Sequence, residues 1–141
     1  MKFKRVAAGL AALGMIASFP ASAGNVGSAE KLRRLDIMLM VTGLRCRKTA
    51  DNFQPEYGRF TTNHFATLNA AAQTLKAEYA RSYGAAGANR ALDRMSVQMA
   101  NQYGQGHPWL NCAQLKQVTR TLADMRGRTL NNAFIVIDEA Q

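Results

Sequence analysis

The chain has 141 residues, of which 18 are Lys or Arg and nine are Asp or Glu, for a net charge of +9. That length bounds it to one domain. It contains no Gly-Lys pair, which excludes a phosphate-cradling Gly-x-x-x-x-Gly-Lys loop, and its two histidines and two cysteines lack the spacing of a zinc site.

Met1 to Ala23 reads as a secretory signal peptide. Lys2, Lys4 and Arg5 form the charged start, Val6 to Phe19 the apolar run, and Ala21-Ser22-Ala23 the small-residue cleavage pattern after Pro20. The run falls short of the roughly 20 residues that span a bilayer. The alternative is an uncleaved N-terminal anchor. The leader holds three of the 18 basic residues and none of the nine acidic ones, so the remainder keeps +6. A basic exported chain is drawn to anionic envelope components or to another envelope protein. Export argues against nucleic acid as the partner. The blander account of the charge is solubility.

The mature part opens with Ser28 as an expected N-cap. Leu32, Leu35, Leu39, Thr42 and Cys46 then recur at helical spacing, with Met38 beside them. This is the most apolar stretch after the leader, and the rest of the chain is expected to pack around it. Gly43 lies within it at a cost of about 1 kcal/mol against Ala. Pro55 suits the first turn of a second helix, although Gly58 moves the expected start toward Arg59. Phe60, His64, Leu68, Ala71, Leu75 and Tyr79 continue that repeat to a C-cap at Gly84. Ala70 to Ala72 offers a small-residue surface for packing. A third helix is expected over about 88–103, on Ala88, Leu92, Met95, Met99 and Tyr103. Pro108 is expected to open a fourth, with Cys112, Leu115, Val118, Leu122 and Met125 as its buried stripe.

These patterns predict an all-α fold, a four-helix up-down bundle over 24–126 with one disulfide after a cleaved signal peptide at 1–23. No mature stretch is long and apolar enough to cross a membrane. In an up-down bundle, helix one ends where helix four begins. Cys46 and Cys112 occupy those two places, so the topology brings them to bridging distance, 66 positions apart in sequence. A loop of that size corresponds to roughly 4 kcal/mol in the chain-entropy account. The pairing implies the periplasm or the cell surface.

His64 lies on an apolar stripe and reads as a core histidine. His107 and Trp109 share a Gly-rich loop. They form a candidate recognition spot, against the alternative that Trp109 caps the bundle end and shields the disulfide. Arg45, Arg47 and Lys48 form a candidate docking patch for an anionic envelope component, against the alternative of a solvated face. No residue is arranged for catalysis, no set of side chains is arranged for a metal, and no cofactor is expected.

Two resemblances concern different parts of the chain. LRRLDIMLMVTGLRCR, the FQPEYGRF segment and RALDRMSVQMANQYGQGHPWLNCAQLK resemble short exported proteins of sphingomonad-type alphaproteobacteria, often labelled S-layer protein, over about 31–124. This implies an all-helical envelope protein with no established activity, and the expected role is non-enzymatic, through binding or structure. MRGRTLNNAFIVIDEAQ, residues 125–141, is similar to the Walker B region of PhoH-like ATPases. That resemblance implies that Asp138 holds a Mg²⁺ shell and Glu139 orients the attacking water. The tail, 127–141, is accordingly expected to be a Walker B-like fragment joined to an unrelated helical domain. A third expectation, from the disulfide-bonded helical build, is a periplasmic inhibitor or immunity-type protein.

Overall fold

A computed structural model describes residues 26–126 and Leu130. The expected signal peptide lies outside the described residues, as does the tail with Asp138 and Glu139, apart from Leu130. Four helices pack together and no strand occurs among the described residues: α1 Val26–Cys46, α2 Gln54–Asn63, α3 Phe65–Gln102 and α4 Cys112–Asp124. The fold is all-α, as the periodicity predicts.

α1 is the central rod. Leu32, Leu35, Met38, Leu39, Thr42 and Cys46 are buried along it, together with Ala29, Ile37 and Gly43. The predicted face is the observed one, slightly widened. Ser28 is no cap, because the helix is already under way at Val26. Gly43 lies under the ring of Phe53, where an added Cβ would stand 3.5 Å from Cε2.

α2 begins at Gln54, earlier than Gly58 suggested. Pro55 occupies its first turn, and Asn52 Oδ1 accepts from the Gln54 amide at 3.1 Å. Phe53 and Phe60 are fully buried at either end, and that anchoring outweighs the weak helix propensity of Gly58. The repeat expected to run unbroken from Phe60 is interrupted at His64, between α2 and α3. Two contacts with α4 hold the break: His64 Nε2 lies 2.7 Å from the Leu122 carbonyl, and Asn63 Nδ2 donates to the Ala123 carbonyl at 2.9 Å. His64 is a buried core residue, packed on Phe60.

α3 consists of two arms that meet at Gly84, whose φ of 75° is open to glycine. The Tyr79 hydroxyl donates to Met95 Sδ at 2.8 Å. A straight helix would hold those residues roughly 24 Å apart, so the chain reverses at Gly84. The glycine thus ends the first arm as expected, but the second resumes at once instead of near Ala88. Within the small-residue run, Ala71 is buried while Ala70 is exposed.

α4 is not opened by Pro108. Asn111 caps it reciprocally with Gln114: each side chain accepts from the other's backbone amide at 2.9 Å. This capping box satisfies two orphan donors, which proline cannot do. Leu115, Thr119, Leu122 and Ala123 form the buried stripe, with Cys112, Val118 and Met125 half-buried. The second arm of α3 runs parallel to α1, since Arg33 reaches Ser96 and Arg45 reaches Gly104. α4 packs mainly on α2 and also touches α1, while α1 packs mainly on α3. Leu130 is fully buried in the same core.

Candidate functional site

The C-terminal turn of α1 and the loop from Tyr103 to Asn111 meet at one end of the bundle. Cys46 and Cys112 are bonded there, with Cα atoms 5.7 Å apart. The topology expected from helix periodicity does bring the two sulfurs together. Cys46 is buried, and its carbonyl accepts from both the amide (3.0 Å) and the hydroxyl (2.7 Å) of Thr49, which closes the helix end.

Arg45 joins the two segments. Its guanidinium donates to the Gly104 carbonyl at 3.0 Å. Gly106 turns the loop with a φ of 105° and has Arg45 Nε close by, 3.4 Å from where a Cβ would stand. Arg47 donates to the Leu44 carbonyl at 3.1 Å, and Lys48 is exposed beside it. The three cations therefore differ: Arg45 organises the loop, while Arg47 and Lys48 face outward from the helix end.

His107 and Trp109 also differ from each other. The His107 ring is buried between Tyr103, stacked at 6.1 Å, and Trp109, edge-on at 4.7 Å. Its Nδ1 accepts from the backbone amides of Trp109 and Leu110, both at 3.2 Å. An accepting Nδ1 places the ring proton of the neutral imidazole on Nε2. The histidine shapes the loop and the tryptophan is presented, 38% exposed.

Two features were not legible beforehand. Met40 and Leu44 lie one turn apart on α1 and are 40% and 46% exposed. Their signal was position, since both fall off the stripe through Leu39 and Cys46. The second is a polar chain inside the bundle. Tyr57 donates to Asp36 Oδ1 at 2.7 Å, and Arg33, which attracts that carboxylate, donates to Ser96 Oγ through Nη2 at 2.9 Å. Burial pushes Asp36 above the usual carboxylate range, although Tyr57 and Arg33 pull the other way. Burial, and then the neighbouring Asp36, raises the Tyr57 phenol well above its ordinary value. The signal was an acid within the most apolar helix. The arrangement ties α2 and α3 to α1.

Among the described residues no group of three or more His, Cys, Asp or Glu could hold a metal ion, and no helix is long and apolar enough to cross a membrane. Residues 111–141 match the family profile described as PhoH-like protein. The match opens at Asn111, the cap of α4, ahead of Met125, and so includes a helix that the bundle itself uses. No curated protein and no solved structure matches the chain.

Proposed function

We propose that this is a non-enzymatic exported protein of the periplasm or cell surface that binds an anionic envelope component through its disulfide-bonded end. The observation that carries this reading is the meeting of Arg45, Arg47, Lys48 and Trp109 around one covalent bridge. A disulfide is at home in an oxidising compartment, which supports export. Cations and an aromatic held on a rigid end favour binding over chemistry. Retention of the purified protein on anionic cell-wall preparations tests the reading. Arg47→Glu with Lys48→Glu should abolish retention and leave the fold intact, because both side chains point away from the core. Unchanged retention would overturn the proposal.

The profile match over 111–141 favours a second reading, nucleotide binding of the PhoH-like kind. In it Asp138 would hold the Mg²⁺ shell and Glu139 would orient water. Against it stands the absence of any Gly-Lys pair in the chain. Thermal stabilisation by Mg-ATP that disappears in Asp138→Ala would establish this reading, and no stabilisation in the parent protein would remove it.

A further inference from the structure

We infer that the anionic component is a lipid headgroup layer, and that Met40, Leu44 and Trp109 enter it while Arg47 and Lys48 remain among the headgroups. This rests on the docking reading above and specifies its partner. The argument begins with placement. Leu44 precedes Cys46 by two residues, Trp109 precedes Cys112 by three, and the bridge holds those Cα atoms 5.7 Å apart. Each side chain is thus anchored within about 11 Å of the same bridge. Met40 continues the Leu44 face by one helical turn.

The second step is chemistry. These three are among the few large apolar side chains left exposed on the described surface, and Arg45, Arg47 and Lys48 follow Leu44 directly at the end of α1. From Leu44 to Phe53 the only acid is Asp51, and from Gly104 to Asn111 there is none. A sulfated or carboxylated polysaccharide would satisfy the cations and could stack on Trp109, but would leave Met40 and Leu44 in water. An anionic bilayer satisfies both, because the headgroup zone is negative and the acyl boundary beneath it is dry. Tryptophan suits that depth, with an apolar body and one N–H to spare for the wet side. The bridge and the bond from Arg45 to Gly104 hold the loop in place beforehand, so little ordering remains to be done on binding.

Trp109 is the only tryptophan in the chain, so its emission reports the depth of this loop directly. The disulfide-bonded protein is titrated with vesicles of phosphatidylcholine alone and of equal parts phosphatidylcholine and phosphatidylglycerol, and separately with dextran sulfate beads. The expected result is a blue shift, and quenching by bilayer-brominated lipid, on the phosphatidylglycerol vesicles only. Met40→Ser with Leu44→Ser should weaken that partitioning on the order of tenfold, and Lys48→Glu roughly fivefold or more. Both sites are exposed, and circular dichroism checks that the helices are kept. Retention on dextran sulfate without vesicle binding would overturn the lipid assignment and leave the docking reading standing. Vesicle binding with unshifted emission and an unaffected double variant would overturn the insertion of Met40, Leu44 and Trp109. Failure to bind either material would overturn both readings.

Discussion

Tyr57 and Asp36 share a 2.7 Å hydrogen bond between α2 and the central helix, the phenol donating to the carboxylate. Removing one partner strands the other. Tyr57→Phe should destabilise the fold by about 1–3 kcal/mol, because the half-buried carboxylate loses its donor. It should also move the Asp36 titration further upward, which an NMR pH titration of the side chain would read. Asp36→Asn keeps an acceptor for the phenol and removes the desolvated charge, so it should be much milder.

That pair also sets a direction with pH. Burial holds the folded-state pKa of Asp36 above the ordinary aspartate value of 3.8. The folded protein therefore keeps a proton that the unfolded chain has lost. This contribution is fully present below pH 3.8 and is lost as the pH rises through the folded value. Glu56 runs the opposite way. Desolvation raises it, but its own backbone amide, Arg120 and Lys116 outweigh that and hold it below 4.5. Its contribution is present above 4.5 and is lost as the pH falls through the lowered value. Denaturation midpoints across acid pH should lose the first slope in Asp36→Asn and the second in Glu56→Gln.

Reduction of the Cys46–Cys112 bond, or Cys46→Ser with Cys112→Ser, should lower stability by roughly 4 kcal/mol in urea unfolding. The loss enters through the unfolded chain, which regains the freedom of a 66-residue loop. If the bridge instead contributed nothing, the two midpoints would coincide.

Two glycines should respond with opposite signs. Gly43→Ala places a Cβ at ordinary contact, 3.5 Å from the Phe53 ring, in a helix, and should stabilise by up to about 1 kcal/mol. Gly84→Ala forces a side chain onto a φ of 75° and should destabilise by about 1–2 kcal/mol. Thermal melts of the two variants compared with the parent check both signs.

The cap of α4 gives a separate test. Asn111→Ala removes an acceptor for the Gln114 amide and should cost about 1 kcal/mol. Pro108→Ala should change stability far less, since Pro108 precedes the helix and does not begin it.

Much of the fold was readable along the chain because helix formation is local and periodic. Leu32, Leu35, Leu39, Thr42 and Cys46 had to share a face at 3.6 residues per turn, and they are buried together. Gly84 read as the end of a helix, and it is where the first arm of α3 stops, at a φ of 75° that suits glycine. The cysteine pairing followed from counting helices. At the candidate site, Arg45, Arg47, Lys48, His107 and Trp109 could be named by residue type, but their separate duties could not. Whether a cation braces a carbonyl or faces water depends on which backbone lies opposite, here that of Gly104.

The sequence by itself thus determined the helical class, the long apolar rod at its centre and the partner of each cysteine, all from spacing and order. Only tertiary structure decided that the chain breaks at His64, that Asp36 meets Tyr57, and that Met40 and Leu44 stay in water. Those outcomes rest on contacts between residues distant in sequence, such as His64 with Leu122 across 58 positions. A one-dimensional pattern records which way a side chain leaves its own helix, and not what another helix brings to meet it.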